Sequence, residues 1–282
     1  MDRVRAEELD NDGSPPDGKV VPFLKWAGGK RWFVQACADL FPRTFRDYVE
    51  PFLGSGAVFF HIAPMRGLLS DRNVELIETY LAVRDEWEAV FDELSIHDQR
   101  HSETYYYKVR SQKPRTPARK AARFIYLNRT CWNGLYRVNK DGTFNVPVGT
   151  KENVVLPTDN FSGVSKQLAK VEIRACDYTD SILKAKSDDF LFVDPPYVTK
   201  RHNGAFIKYN ERLFSWSDQV VLRDVLLEAK KKGVQILATN ANNNLIRKLY
   251  ENDFDVSTIS RASVISGENG GRGRCSELVI RN

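Results

Sequence analysis

The segment Asp194-Pro195-Pro196-Tyr197 follows directly after a run of apolar residues and combines hydrogen-bond acceptors with an aromatic ring. Because a prolyl nitrogen cannot donate, the segment presents mainly acceptors, namely the Asp194 carboxylate and the Pro195 carbonyl. The two prolines stiffen the backbone, and the Tyr197 ring can stack on a flat ligand. Acceptors beside a stacking ring suit an exocyclic amine on a planar base. The four residues taken alone are equally compatible with a plain turn that ends a strand.

A glycine-containing turn at residues 51–56 (PFLGSG) follows another predicted strand, and Asp71 ends the next strand 17 residues after Gly54. Glycine lets the backbone pass close to a ligand, and the helix that follows offers unpaired N–H groups. An acid at the end of the second strand is where a ribose hydroxyl usually binds. Phe59 stands where a dinucleotide fingerprint has its third glycine, so the pattern favours a nucleoside ligand without a pyrophosphate. The Gly-x-Gly turn alone is as compatible with a structural tight turn.

The segment at residues 23–30 (FLKWAGGK) ends in Gly-Lys without forming a Walker A loop. Leu24 occupies the position of that loop's first glycine, and Arg31 replaces its Ser or Thr. Taken alone, the segment is equally well explained as a turn that stacks Trp26.

Short apolar runs alternate with helical patterns along the chain, which predicts an α/β fold with a parallel sheet. The predicted strands are 47–52, 67–71, 171–177, 189–194 and 234–240. One predicted helix begins after the capping residue Asn73, and a second covers 215–232, where Gly233 ends it. A Gly-rich turn between 255–260 and 276–282 predicts an antiparallel hairpin at one edge of the sheet. Ligands of such sheets bind beyond the carboxyl ends of the strands, where the glycine turn, the Asp-Pro-Pro-Tyr segment and the segment TNAN all fall.

Residues 97–151 break the alternation, because they contain no convincing buried strand and are strongly basic. They hold 12 Lys and Arg against three acids, whereas the other 227 residues carry an excess of four negative charges. Aromatic residues are interleaved with the charges, such as the tyrosines at 105–107 and Trp132. We interpret this segment as the centre of an inserted, mostly helical module with outer limits near 84–170, whose charge favours an anionic partner.

The whole chain has 282 residues, 42% of them hydrophobic, a net charge of +5 and a mean hydropathy of −0.44. No apolar run approaches the roughly 18 residues of a membrane helix. Residues 1–19 have no apolar periodicity and predict a disordered leader. The α/β domain is then predicted at 20–83 and 171–282, on either side of the insert at 84–170. The four cysteines are scattered and form no C-x-x-C pair, so we expect neither a disulfide nor a metal site.

Taken together, and in their order along the chain, the motifs resemble the Dam-type DNA adenine-N6 methyltransferases of the alpha group. The resemblance rests on the segments 25–30, 50–56, 71, 177–178 and 194–197. It continues in the basic insert with WNGLYRVN at 132–139 and GTFNVP at 142–147, and after the DPPY segment with Phe206-x2-Tyr209-x4-Phe214. It covers residues 20–282, which is nearly the whole chain.

The resemblance implies a Rossmann-like methyltransferase sheet and S-adenosylmethionine as cofactor. The residues expected around the methionine end of that cofactor are Trp26, Ala27, Lys30, Phe52, Gly54, Ser55 and Gly56. Asp71 is expected to bind the ribose, and Asp177 to accept from the adenine amine beside the Tyr178 backbone. The family usually has Phe at the position of Tyr178, a departure that leaves the backbone contact unchanged. Asp194 is expected to face both the cofactor and the target base.

The resemblance also implies the reaction, a direct methyl transfer from the sulfonium to adenine N6, whose lone pair is delocalised into the ring. Asp194 and the Pro195 carbonyl are expected to accept the two N6–H groups and to stabilise developing charge. Pro196 stiffens the segment, and Tyr197 is expected to stack on the base. Because the amine is inaccessible in a duplex, the base must be flipped out. No metal is expected.

By the same resemblance, eight residues are expected to contact double-stranded DNA: Lys25, Arg129, Trp132, Asn133, Leu135, Arg137, Asn139 and Lys140. Arg137 is the expected reader of guanine, and Leu135 the wedge in the base stack. Asn133 either bonds a base edge or fills the gap opposite the flipped adenine. An arginine in such a module contacts phosphate or solvent about as often as a base, and a lone leucine is more often core. The likeness is greatest to enzymes that modify GATC, which is the expected site.

Other functions remain open from the residues alone. An RNA or protein-amide methyltransferase usually carries Asn-Pro-Pro-Tyr, and a non-catalytic DNA-binding protein would have a decayed site. A nucleotide-dependent oxidoreductase is disfavoured by the missing third glycine and the basic insert. We expect a cytoplasmic, DNA-associated monomer of bacterial, phage or archaeal origin, with a cognate restriction endonuclease as a candidate functional partner.

Overall fold

The computed structural model of this chain describes residues 20–134, 136–139, 142–197, 214–262 and 274–282, with the side chains of 261, 262, 274 and 275 excepted. Several sequence-based assignments lie outside these described residues: the leader at 1–19, the DNA contacts Leu135 and Lys140, and the motif residues Phe206 and Tyr209. In the described ranges, no helix is long and apolar enough to cross a membrane. Nor do any three His, Cys, Asp or Glu side chains within those ranges form a group that could hold a metal ion.

In the described part of the chain, strands form a single seven-stranded mixed sheet. They are β1 (Tyr48–Glu50), β2 (Gly67–Asp71), β3 (Glu172–Ala175), β4 (Phe190–Val193), β5 (Gln235–Ala241), β6 (Asp255–Ala262) and β7 (Arg274–Arg281). Their order across the sheet is β3-β2-β1-β4-β5-β7-β6. β4 pairs in parallel with β1 and with β5, while β7 runs antiparallel to both β5 and β6. The α/β fold predicted from the alternation of strands and helices is thereby confirmed.

Helices connect and flank these strands. They are α1 (Arg31–Ala36), α2 (Ala57–Ile62), α3 (Val74–Gln99), α4 (Glu103–Ser111), α5 (Pro117–Thr130), α6 (Phe161–Leu168), α7 (Tyr178–Lys184), α8 (Trp216–Lys231) and α9 (Asn244–Tyr250). Short 3-10 helices occur at Ala38–Leu40 and Trp132–Gly134. The basic segment contains the end of α3 and the helices α4 and α5, and beyond Thr130 it continues with a 3-10 helix and isolated β-bridges.

Local sequence signals set the ends of the long helices, as predicted for Asn73 and Gly233. The Asn73 side chain accepts from the Leu76 N–H at 3.1 Å and so begins α3. Ser215 and Asp218 form a capping box that begins α8. Gly233, just beyond the end of α8, takes a φ of +83°, a left-handed conformation that favours glycine.

The chain divides into two compact units, each with its own core. Unit 1 comprises the chain up to Ala36, Leu53–Gly67 and Asp71–Ala175. In this unit α3 packs against α5 and α6, and Phe23 lies edge-on to Tyr80 with ring centroids 5.0 Å apart. Both glycines of the glycine turn, the acid that follows it and the basic segment belong to unit 1. The domain limits expected from the sequence remain predictions.

Unit 2 comprises Cys37–Phe52, Leu68–Ser70 and Cys176–Asn282. Strand β4 is buried along its whole length, as its continuous apolar run predicts for a parallel strand covered on both faces. Side chains of β5, β7, α7, α8 and α9 pack around it to form one apolar cluster. The Asp-Pro-Pro-Tyr segment therefore starts from the most deeply buried strand of this unit.

Arg129, predicted from the sequence to contact DNA, is instead a buried structural residue of unit 1. Its guanidinium forms a bidentate ion pair with Asp159 at 2.6 and 2.7 Å and donates to the carbonyls of Phe23 and Val154. The side chains of both ion-pair partners are 4% exposed. Since these partners are internal, the guanidinium has no path to a phosphate. The predicted DNA contact is corrected to a structural role that joins α5 to the chain at Phe23.

Removing one partner of this buried pair leaves an unpaired charge inside unit 1. We predict that Asp159→Ala lowers the free energy of unfolding by about 3–5 kcal/mol. Arg119→Ala is the control, because it breaks a more exposed ion pair with Glu93 and should cost at most about 1 kcal/mol. Urea titration followed by circular dichroism measures both free energies. Equal losses in the two variants would contradict the structural role of Arg129.

Candidate active site

The glycine turn of unit 1 is shaped around the Asp71 carboxylate. Asp71 Oδ2 accepts from the Gly54 N–H at 3.1 Å, and its Oδ1 accepts from the Asn73 N–H at 2.9 Å. Gly54 and Gly56 have φ values of +48° and +64°, where a side chain would be strained. Burial raises the pKa of Asp71, whereas the hydrogen bonds from backbone N–H groups act to lower it. The acid and the turn, separate motifs in the sequence, are thus in direct contact.

Trp26 packs between this turn and aromatic residues of the basic segment. Its ring stacks on Phe124 and Tyr136 at centroid distances of 6.2 and 6.3 Å, each with an interplanar angle of 18°. An added Cβ at Gly54 would lie 2.8 Å from Trp26 Cδ1, so this close approach requires glycine. Tyr136 in turn donates to a Glu75 carboxylate oxygen at 2.8 Å. The structure therefore brings two predicted cofactor residues, Trp26 and Gly54, into contact.

Three further residues expected at the cofactor lie close to these. Lys30 and Ser55 are buried, and Ala27 is exposed. The Lys30 ammonium donates to the Gly28 carbonyl at 3.3 Å and so closes its own turn. An added Cβ at Gly29 would lie 3.3 Å from Ser55 Oγ, so the small residue lets the two glycine-containing segments approach each other.

Lys25 is held beside the WNGLYRVN loop by Asn128 of α5. The Asn128 amide bonds both backbone groups of Lys25, because its Oδ1 accepts from the N–H at 2.9 Å and its Nδ2 donates to the carbonyl at 2.7 Å. Asn128 itself is fully buried. The Lys25 side chain crosses Gly134, where an added Cβ would lie 2.5 Å from the lysine Cδ. Two segments predicted to contact DNA are therefore adjacent within unit 1.

The same loop places several predicted DNA contacts at the surface of unit 1. Trp132 is 54% exposed, and Asn133 and Arg137 are exposed as well. Asn133 takes a φ of +56°, a conformation that asparagine tolerates better than most residues. Asn139 is exposed, and its Oδ1 accepts from the Thr143 N–H at 2.8 Å, so this residue also shapes the turn.

In unit 2, residues of β5 and β7 hold the Asp-Pro-Pro-Tyr segment. The Thr239 hydroxyl donates to Asp194 Oδ1 at 2.7 Å, and the Tyr197 hydroxyl donates to Glu277 Oε2 at 2.9 Å. The first of the two prolines is buried and the second half-buried. Burial raises the pKa of Tyr197 well above its usual value, and the charges of Asp194 and Glu277 raise it further. The tyrosine hydroxyl is therefore a donor at neutral pH.

Asp177 begins helix α7 as its N-cap. Its Oδ1 accepts from the backbone N–H and the hydroxyl of Thr179, at 3.1 and 2.9 Å. Both bonds fall on one carboxylate oxygen, so the capping role is compatible with a further bond from a ligand amine. The adjacent Tyr178 stacks on Phe52 with ring centroids 5.2 Å apart, and Phe214 packs against both rings.

A family model described as the D12 class of N6 adenine-specific DNA methyltransferases matches residues 26–265. The chain belongs to this family. A Type II methyltransferase of Lactococcus lactis subsp. cremoris, M1.LlaDCHI, is 33% identical over 270 residues, which cover 93% of this chain and 95% of that protein. The DNA adenine methylase of Escherichia coli K12 is 30% identical over 262 residues, covering 91% of this chain and 93% of that protein. A DNA adenine methylase of Vibrio cholerae O395 is 30% identical over 266 residues, with coverages of 93% and 95%.

The enzyme is therefore an adenine-specific DNA methyltransferase, which confirms the resemblance seen in the order of its motifs. The family match favours this function over the RNA, protein-amide and non-catalytic alternatives that the residues alone left open.

Four residues support the predicted site residues of this methyltransferase, although the sequence analysis gave these four no role. They are Phe124 beneath Trp26, Asn128 beside Lys25, Thr239 beside Asp194, and Glu277 beside Tyr197. Two of them had a detectable signal. Thr239 begins the TNAN segment at the end of a predicted strand, where ligands bind. Asn128 is a polar residue in the interior of a helix, where asparagine is otherwise unfavourable.

Gly134→Ala is expected to weaken DNA binding by about tenfold, because the new methyl group would displace the Lys25 side chain. Gly142→Ala is the matched control, since Gly142 has a φ of +73° in the same loop but no atom within 4 Å of an added Cβ. Fluorescence anisotropy with a labelled duplex measures both affinities. Equal losses would assign the effect to loop strain and contradict the role given to Lys25.

Proposed function

We propose that this enzyme transfers a methyl group from S-adenosylmethionine to N6 of an adenine that it flips out of duplex DNA, and that its recognition sequence is GATC. The observation that carries the chemistry is Asp194, which follows β4 with one carboxylate oxygen bonded by Thr239 at 2.7 Å. Membership of the adenine-specific family supports N6 as the acceptor. The match of Arg137 and Leu135 to enzymes that modify GATC supports the recognition sequence.

The residues around the glycine turn fit S-adenosylmethionine, which supplies an electrophilic methyl group when bound. Asp71 is half-buried and already accepts from the Gly54 and Asn73 N–H groups, and because a carboxylate accepts about four hydrogen bonds it can still accept from a ribose hydroxyl. Trp26, Lys30 and the turn itself would hold the methionine end. Asp177 would accept from the adenine amine of the cofactor, beside the Tyr178 backbone.

At the target base, the Asp194 carboxylate and the Pro195 carbonyl would each accept one N6–H of adenine. These two bonds draw the amine from planar toward tetrahedral geometry, which localises the nitrogen lone pair. The negative carboxylate also stabilises the positive charge that develops on the nitrogen in the transition state. The prolines present no N–H that would compete for these acceptors. Tyr197 would stack on the extruded base.

We propose residues 84–170 as the DNA-recognition insert. Its exposed loop would supply Arg137 as the reader of guanine, with Lys25 beside it, and Leu135 and Lys140 keep their predicted roles at the DNA. Many contacts of Lys and Arg to phosphates add sequence-independent affinity. Acids outside 97–151 offset part of the local charge: Glu93 pairs with Arg119, Glu78 with Lys120, and Asp159 with Arg129. The positive charge available to DNA is therefore smaller than the sequence count.

We further propose that the enzyme acts as a cytoplasmic monomer. The Type II methyltransferase names among its relatives support a cognate restriction endonuclease as functional partner, whereas the relatives named DNA adenine methylase do not carry that description. An endonuclease gene beside the gene of this enzyme would show that it acts together with a restriction endonuclease.

The function is tested by incubating the full chain with S-adenosylmethionine and plasmid DNA from a host without adenine methylation, then mapping N6-methyladenine by sequencing. We expect the modified base at GATC. Modification confined to a different sequence would contradict the recognition site alone, and the absence of N6-methyladenine would contradict the proposed function.

Asp194→Ala is expected to lower the rate of methyl transfer by roughly 100- to 1,000-fold or more, because it removes an acceptor that stabilises the transition state. Binding of S-adenosylmethionine, measured by calorimetry, should persist. Asp180→Ala serves as the control, since Asp180 is an exposed acid of α7 in the same unit. Substantial residual turnover in Asp194→Ala would rule out the role given to this carboxylate.

Arg137→Ala is expected to cost about 1–3 kcal/mol in binding to the cognate duplex and to relax one base position. The guanidinium is exposed and donates to Asn145 Oδ1 at 3.3 Å, so little folding stability should be lost. Competition binding against duplexes that differ at single positions measures the effect, with the exposed Lys108→Ala as control. A loss that is uniform across all duplexes would show that Arg137 contacts phosphate.

A further inference from the structure

Two buried side chains on neighbouring strands hold the catalytic segment in unit 2. Thr239 of β5 is fully buried, and its hydroxyl donates to Asp194 Oδ1 at 2.7 Å. Glu277 of β7 is 8% exposed and accepts from the Tyr197 hydroxyl at 2.9 Å. Both bonds therefore connect the sheet interior to the groups that are proposed to contact the target adenine.

We propose that Thr239 and Glu277 are positioning residues for methyl transfer, with Thr239 setting the orientation of the Asp194 carboxylate and Glu277 that of the Tyr197 ring. This rests on the proposed function, in which Asp194 accepts from N6 and Tyr197 stacks on the base. Thr239 and Glu277 are the residues that orient those two groups.

The orientation of the Asp194 carboxylate depends on a torsion that is intrinsically broad. A charge-assisted hydrogen bond from a buried hydroxyl restrains it. Strand register accounts for the contact, since Val193 of β4 pairs with Ala238 of β5 and the next residues along both strands are Asp194 and Thr239. With one oxygen anchored, the other oxygen of the carboxylate keeps a constant direction.

The Tyr197 hydroxyl oxygen lies on the long axis of the ring, so an acceptor at the hydroxyl fixes the direction in which the ring projects. Because a phenolic O–H prefers the plane of its ring, the same bond also favours one rotation of the ring. Glu277 supplies that acceptor from β7, where it pairs with Ala241 of β5. The raised pKa of Tyr197, caused first by burial and then by the charges of Asp194 and Glu277, keeps the hydroxyl protonated and donating. A ring whose end is anchored in one position suits stacking on an extruded base.

A purely structural role for the same bonds leads to a different expectation. Loss of either bond would then lower the melting temperature and leave kcat unchanged wherever the protein is folded. A positioning role predicts the opposite split, in which kcat falls while KM for DNA and the affinity for S-adenosylmethionine stay constant.

The test measures methyl transfer by the full chain to genomic DNA without adenine methylation, which contains every short recognition sequence. Thr239→Val removes the hydroxyl at nearly constant shape and is expected to lower kcat about 10- to 100-fold. Thr239→Ser keeps the hydroxyl and should restore kcat to within roughly threefold of the wild type. Thr79→Val is the matched control, because it also removes a buried hydroxyl, one that bonds the Glu75 carbonyl within α3, and should leave kcat unchanged.

The Glu277 arm uses a double-mutant comparison. Glu277→Gln keeps an oxygen acceptor and should retain most of the activity, whereas Glu277→Leu and Tyr197→Phe should each lower kcat about tenfold. The double variant should lose no more than the larger of the two single effects, because both changes remove the same bond. Losses that multiply would overturn the link between Glu277 and Tyr197.

Other outcomes separate this inference from the proposed function. Wild-type kcat in Thr239→Val, or a loss of kcat accompanied by lost S-adenosylmethionine binding, would overturn the positioning role of Thr239. Methylation by the wild-type enzyme outside GATC would overturn only the recognition sequence, since the ratios between variants remain readable on genomic DNA. Absence of N6-methyladenine from wild-type reactions would overturn both.

Discussion

The pairing of β4 with β5 is the constraint on which the Asp-Pro-Pro-Tyr segment depends. Val193 and Ala238 are partners at the end of this pairing, so Asp194 and Thr239 come together at the carboxyl edge of the sheet. Because β7 runs antiparallel beside β5, Glu277 reaches the same edge and holds the tyrosine of the segment. A slip of one residue would turn every side chain of a strand to the opposite face and break these contacts. The geometry of the groups proposed to contact the target adenine is therefore a consequence of strand register.

Helix α5 positions predicted site residues in unit 1, as the pairing of β4 with β5 does in unit 2. Its Asn128 bonds both backbone groups of Lys25, its Arg129 bonds the Phe23 carbonyl, and its Phe124 stacks under Trp26. One helix of the basic segment thus fixes the segment 23–26, which supplies a proposed DNA contact and a proposed cofactor contact. We infer that changes which loosen α5 would affect both kinds of binding together.

Arg129 shows where reading charge from sequence goes wrong. In the sequence it is one of 12 basic residues in a segment that suits a polyanion, and nothing local distinguishes it from the others. Its ion-pair partner Asp159 lies 30 residues away, and the Phe23 carbonyl lies 106 residues away. Burial of a charge is favourable only when such partners converge, and their convergence is a property of helix packing. Composition therefore counts charges correctly without telling which of them face solvent.

The sequence by itself determined the α/β alternation, the cap at Asn73, the helix stop at Gly233, and the order of motifs that identified the family. These features depend on local periodicity, on capping chemistry and on residue types at short spacing, all of which are written along the chain. Only the tertiary structure decided which residues support the motifs. Thr239 meets Asp194 across 45 positions, and Asn128 meets Lys25 across 103. Such contacts are set by strand register and helix packing, and no local pattern encodes them.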